Sequence, residues 1–223
     1  MATDPEREAA ALVQSLRKSG GKRADLRGVC LKNKDLADIT LSGANLENAD
    51  LSGSRLIGCG LAYVNLTRAN LSNCVLDGAF AQKACFKRAL LNGVRMREGI
   101  LDSADFTDAV AEGLMLADMT AIRVNFGRAN LKNAKFLDVG LSLSSFAKAD
   151  ASGADFSKSR LHDVSFARCN LEGSNFTKAE LYGAKLATAR LEGAQFNGAK
   201  YDARTKWKGE PPRGSKFVRK PDA

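Results

Sequence analysis

The chain has 223 residues, 44% of them hydrophobic, with 34 Lys and Arg against 25 Asp and Glu and a net charge of +9. That length fits one domain or two small ones, and the chain has no run of 18 apolar residues that would make a helical membrane span. Five Cys and one His form no C-x-x-C pair and no ligand cluster, so no metal or cofactor is expected, and reduced thiols in a cytoplasmic setting are.

Residues 1–23 come first. The start, MATDPEREAAALVQSLRKSGG, carries acids early and lacks the apolar core of a secretory signal. Asp4 suits an N-cap, Pro5 the first helical position and Gly20 the residue just past the end. Leu12, Val13 and Leu16 give a short apolar face. The segment is predicted to be a capping helix over the element that follows, a frayed tail being the alternative.

Residues 24–201 follow one frame. From Leu26 to Tyr201 every fifth residue is apolar: 21 Leu, 9 Phe, 4 Ala, 1 Met and 1 Tyr fill 36 positions without a break. A period of five belongs neither to a helix nor to a flat strand. Two residues before each of these centres the side chain is small, with 18 Ala, 6 Val, 4 Ser and 3 Cys among 36 positions. The residue just before the centre is often Asp or Asn, as at Asp25, Asn45, Asp50, Asn65, Asn70, Asp105 and Asn125.

This pattern resembles the pentapeptide-repeat family, whose motif is roughly A-(D/N)-L-x-x. AlaAsnLeu at 44–46, 69–71 and 129–131, AlaAspLeu at 49–51, and AlaAspPhe at 104–106 and 154–156 match it directly. The resemblance implies an all-β fold, a right-handed quadrilateral β-helix with one pentapeptide per side and four sides per coil. Thirty-six repeats then make about nine coils, stacked at the strand spacing of about 4.8 Å.

Steps of 20 support a square coil. The first wall stacks Leu26, Leu46, Leu66, Phe86, Phe106, Phe126, Phe146, Phe166 and Leu186. The third, opposite it, stacks Leu36, Leu56, Leu76, Met96, Leu116, Phe136, Phe156, Phe176 and Phe196. The second wall, starting at Leu31, and the fourth, starting at Leu41, hold no Phe centre. They hold all the Ala centres, Ala111 and Ala151 on the second and Ala81 and Ala121 on the fourth. Bulky residues on one pair of opposite walls and small ones on the other keep the core volume constant. A corner column of Gly53, Gly93, Gly113, Gly153, Gly173 and Gly193 supplies turn residues with positive φ, not a cofactor cradle.

Residues 202–223 close the chain. YDARTKW resembles the tail after the last coil in many family members, and Tyr201 and Trp207 are expected to cover the final coil. Residues 208–223, basic and rich in Pro and Gly, are expected to be extended or disordered.

No catalytic constellation stands out. His162 occupies an outward position, and Cys59, Cys74 and Cys169 take the small inward position, where Cys acts as a compact apolar residue. Cys30 and Cys85 point outward on different walls, three coils apart. No phosphate-binding loop is present. A non-enzymatic protein is expected, with its function on the outer walls.

Two departures from a uniform polar exterior are candidates. On the first wall Arg68, Arg88, Asp108, Arg128, Lys148 and Arg168 share a corner column, with Lys87 beside it. Stacked like charges repel, so this is either a solvated edge with Asp108 relieving the repulsion or a contact for an anionic partner. On the fourth wall Tyr63, Phe80, Ile100, Ile122 and Leu143 are outward and apolar, while Val75, Leu90, Val110 and Met115 are outward on neighbouring walls. Such a cluster marks a contact site, homodimerisation being its simplest form, or else residues tucked into distorted middle coils.

The leading expectation is a cytoplasmic scaffold or regulatory module that binds a protein partner through the apolar wall and the basic column. The family includes members whose DNA-like acidic surface binds DNA gyrase. That alternative calls for acidic coils, whereas these carry 22 bases and 19 acids. A third reading is weak, non-specific binding of polyanions such as nucleic acid, since the basic column has no interleaved aromatics for base stacking.

Overall fold

The computed structural model describes residues 5–218. Its repeating unit is a parallel bridge across 20 residues. Leu46 N–H donates to the Asn65 carbonyl at 2.7 Å, and Asn65 N–H donates back to the Ala44 carbonyl at 2.9 Å. The same bridge recurs from Asp25↔Asn45 to Glu180↔Lys200, on all four walls. Four parallel ladders therefore tie each coil to the next and satisfy the backbone without long strands.

Each wall ends in a tight turn. The carbonyl of a centre accepts the N–H three residues on, as in Leu46 and Ala49 at 3.0 Å. The corner residues have a positive φ, and 23 of them are not glycine. Tyr63 (φ 59°), Arg68 (φ 58°) and Leu143 (φ 64°) are examples. A left-handed L-residue costs roughly 1–2 kcal/mol. The ladder offsets this, because the N–H of the strained residue donates to the next coil, as from Arg68 to the Lys87 carbonyl at 2.9 Å. The left-handed role expected of the glycine column is thus general to the corners. A Cβ on Gly153 would lie 2.6 Å from Asn133 Oδ1, so a larger residue there would have to displace the Asn133 side chain.

The two inward residues per repeat form the core. Of the 36 centres 34 are buried, with Leu191 and Tyr201 partly so. On the first wall the rings of Phe86, Phe106, Phe126, Phe146 and Phe166 stack at 4.5–5.2 Å. On the third, Phe136, Phe156, Phe176 and Phe196 stack at 4.8–5.0 Å. The stacks meet edge to face at 5.5–5.8 Å, as between Phe146 and Phe156 and between Phe166 and Phe176. Both geometries suit the ring quadrupole.

Three buried serines at the small position, Ser54, Ser144 and Ser159, reach into the turn of the preceding coil. Ser144 Oγ accepts from Val124 N–H and donates to the Ala121 carbonyl, both at 2.9 Å, and Ser159 does the same at Val139 and Phe136. Cys59 and Cys74 donate Sγ–H to the Leu36 and Leu51 carbonyls in the same manner.

The middle coils do depart from the regular turn, but on the third wall. There β1 (Arg95–Arg97), β2 (Met115–Ala117) and β3 (Lys135–Leu137) form a three-stranded parallel sheet. Met119, a large residue at a small position, fills the opened corner after β2 and is 5% exposed. The fourth wall keeps its regular bridges through Phe80, Ile100 and Thr120. The opened corners of the third wall thus leave the ladder of the fourth wall intact.

Both ends are covered. Helix α1 (Pro5–Ser19) buries Ala9 and Leu16 against the first coil, with Leu12 and Val13 partly buried. Gly20, at φ 68°, ends it. Asp4, expected as the N-cap, lies outside the described residues. At the other end Thr205 Oγ1 donates to the Leu181 carbonyl, and Trp207 packs edge-on against Phe196 and Tyr201. Of the tail expected to be extended or disordered, the part over 208–218 includes an extended strand. Strand β4 (Lys200–Tyr201) pairs in parallel with β5 (Lys216–Phe217), because the last coil leaves an open edge whose carbonyls accept Lys216 and Val218 N–H. The remainder of the tail, 219–223, lies outside the described residues.

Candidate functional site

The fourth wall brings its five candidates into one series. They occupy five successive coils, one each, at the rungs of Leu61, Ala81, Leu101, Ala121 and Leu141. Phe80 and Ile100 are direct bridge partners. Tyr63 is 62% exposed, Phe80 50% and Leu143 49%, while Ile100 and Ile122 are half-buried between them. The ends are corner residues, so their left-handed backbone throws the side chains outward. Lys83 Nζ lies over the Tyr63 ring, 5.3 Å from its centroid.

The other outward apolar residues do not join this series. Leu90 is 42% exposed on the second wall beside Val110, and Val75 and Met115 are half-buried on the third. Phe217, 57% exposed at the C-terminal end and packed against Tyr201, is an exposed aromatic that the sequence reading missed. The run Lys216–Val218 was its only signal, and it lay inside a segment expected to be extended or disordered.

The first wall is the most basic. Arg27, Arg68, Lys87, Arg88, Arg128, Lys148, Arg168 and Lys185 face out from it against Asp25, Glu47, Asp105 and Asp108. The column is not continuous. Arg128 makes a bidentate pair with Asp108 at 2.6 and 2.8 Å. The Arg128 hydrogen bond holds the Asp108 carboxyl below its usual range. Lys87 pairs with Asp105 at 3.2 Å. Burial pushes the Asp105 carboxyl up, but Thr107 and Lys87 together outweigh it and bring it down. Arg68, Arg88, Lys148 and Arg168 are exposed and enter no ion pair among the described residues. The six candidate cations thus form two free doublets with a neutralised stretch between them.

His162 Nε2 contacts Glu180 Oε2 at 3.1 Å and its ring packs on Tyr182 at 5.1 Å. Cys30 is exposed and Cys85 half-buried. Among the described residues no three His, Cys, Asp or Glu are grouped to hold a metal ion. No helix there is long and apolar enough to cross a membrane.

A square coil closed by four parallel ladders, with one large and one small inward residue in every five, defines a right-handed quadrilateral β-helix. The chain belongs to the pentapeptide-repeat family: the family model described as "Pentapeptide repeat region" matches residues 117–196, and "Pentapeptide repeats (8 copies)" matches 22–58 and 54–93. No curated protein matches the chain. Among solved structures it is similar to HetL, a pentapeptide repeat protein involved in heterocyst differentiation regulation from the cyanobacterium Nostoc sp. strain PCC 7120. That match has 22% identity and a TM-score of 0.37 over 85% of this chain and 95% of HetL. It is also similar to trypsin-treated QnrB1, a plasmid-mediated fluoroquinolone resistance protein, at 20% identity and a TM-score of 0.40 over 80% of this chain and 89% of that one. Rfr23 from the cyanobacterium Cyanothece 51142 matches at 21% identity and a TM-score of 0.30, over 69% of this chain and 90% of Rfr23.

Proposed function

We propose that this protein is a non-enzymatic, cytoplasmic binding module that presents its fourth wall to a protein partner. The observation that carries this reading is the run of one outward apolar residue on each of five successive coils, from Tyr63 to Leu143. Isolated exposed apolar residues are ordinary. An outward apolar side chain recurring on each coil of one wall is a patch of the kind that associates. The scaffold suits the task, since ladders on four walls hold the five side chains in fixed register and little ordering entropy is lost on contact. The excess of basic side chains on the first wall runs against an acidic, DNA-like exterior.

The test is the introduction of charge within the patch. The double substitution Phe80→Glu and Ile100→Glu is expected to remove a salt-resistant partner from affinity capture at high salt, with circular dichroism unchanged. Should the captured set and the oligomeric state stay the same in the folded variant, the reading fails.

A further inference from the structure

The first wall lies between two corners that differ in chemistry. One carries Tyr63 and Leu143, the other Arg68 and Lys148, and each coil concerned holds one of each: Tyr63 with Arg68, Leu143 with Lys148. Between the corners the floor over the later coils is small and uncharged, with Asn125, Gly127, Ser145, Ala147, Ser165 and Ala167.

The geometry points to an acidic amphipathic helix of a protein partner as the ligand of this wall. The inference rests on the reading of the protein as a protein-binding module and names the element bound at the wall adjoining the apolar series. The free cations are the pairs Arg68/Arg88 and Lys148/Arg168. Members of a pair are one coil apart, about 4.8 Å. Acids spaced i, i+3 or i, i+4 on a helix are separated by about 4.5–6 Å along its axis, which brackets that spacing. The two pairs are centred four coils apart, about 19 Å at the strand spacing. A helix covers that distance in about 13 residues. Tyr63 and Leu143 are also four coils apart, on the opposite corner, where they meet the apolar side of the same helix.

The middle of the wall decides between partner classes. Asp108 with Arg128 and Asp105 with Lys87 are already neutral pairs. A nucleic-acid strand carries a phosphate at every nucleotide and would lay negative charge across these carboxylates. A helix with two separated acidic clusters leaves that stretch uncharged. Over the later coils the small floor lets a helix backbone approach, and a single corner aromatic, Tyr63, does not make the stacking platform that single-stranded nucleic acid uses.

The test measures fluorescence anisotropy of two labelled alanine-based helical peptides against the full chain at low salt. Both contain two i, i+4 glutamate pairs with a leucine after each glutamate. In the matched peptide the pairs are about 13 residues apart, and in the mismatched one about 7. The matched peptide is expected to bind at least roughly fivefold more tightly, because only it reaches both cation doublets. The double substitution Lys148→Glu and Arg168→Glu is expected to weaken it by tenfold or more, like-charge contacts being strongly unfavourable. Lys158→Glu, an exposed charge change on the third wall, leaves binding as it was. Equal affinity for the two peptides, no measurable binding, or tighter binding of an oligothymidylate than of the matched peptide would overturn the inference. Phe80→Glu leaves peptide binding intact. Loss of the peptide interaction and loss of the fourth-wall contact are therefore separate outcomes.

Discussion

The guanidinium of Arg17, on α1, donates to the main-chain carbonyl of Asp35 at 2.8 Å. A second nitrogen reaches the Ala37 carbonyl at 3.4 Å. Within the stack, the equivalent carbonyls of Arg55 and Ile57 accept N–H groups from the preceding coil, at Leu36 and Asp38. No coil precedes the first. One arginine side chain substitutes for two rungs of the ladder, and Lys34 holds α1 over that edge through Glu6 at 2.6 Å.

Arg17→Ala should therefore uncap the edge. A charge-assisted hydrogen bond contributes about 1.5–3 kcal/mol, and half-exposure of this side chain places the loss at the lower end. Urea unfolding should show a drop of about 1–2 kcal/mol on the same scale. Light scattering should also show slow association at high concentration, since open β-edges recruit other chains. An unchanged midpoint and a monodisperse sample would remove this role from Arg17.

The phenylalanine stacks make a sharper stability prediction. Phe136 is fully buried, stacked on Phe156 at 4.8 Å and edge-on to Phe126 and Phe146 at 5.6 Å. Phe136→Ala should cost about 3–5 kcal/mol, as large core truncations do. Phe80→Ala, on the outside, should change the same urea midpoint little, within about 0.5 kcal/mol. Equal effects at the two positions would contradict the inside-out assignment.

The cysteines give a chemical readout of the same assignment. Cys30 is exposed, Cys85 half-buried, and Cys59, Cys74 and Cys169 buried. Burial pushes each of the last three thiols from the ordinary 9.0 up to about 12. A thiol titration of the native protein should find Cys30 reacting first, Cys85 more slowly through its contact with the Thr67 hydroxyl at 3.3 Å, and the rest only on unfolding. For a raised folded pKa, the stabilisation is complete below the unfolded value and disappears as pH rises through the folded one. Stability should thus fall between pH 9 and about 12, and a Cys59→Ser, Cys74→Ser, Cys169→Ser variant should lose that part of the alkaline slope.

The repeat frame from Leu26 to Phe196 was legible because each ladder forces the same inward choice every fifth residue, whatever lies outside. Helix α1 was legible from Pro5 and Gly20, which mark its ends. The left-handed corners at Tyr63 and Leu143 were not, because the ladders impose that conformation on side chains that do not favour it. Strand β5 was missed because the register changes after Tyr201. Lys185 pairs with Lys206, 21 residues on, and Lys200 with Lys216, only 16 on. The fourth-wall series was visible as composition, but its exposure depended on where the distortion fell, and only the structure places that on the third wall. The split in the basic column was half legible. Arg128 lies one coil above Asp108 in a single column, whereas Lys87 reaches across columns to Asp105, which spacing alone does not indicate.

The central claim is that the fourth wall is the protein contact, and cross-linking from within the patch tests it most directly. A photoreactive phenylalanine analogue at position 80 of the full chain, irradiated in the native cell, should yield one discrete protein adduct. That adduct should disappear when Ile100→Glu and Leu143→Glu are added, and the same analogue at position 158 on the third wall should not form it. No adduct from position 80, or one that persists through both substitutions, would contradict the account.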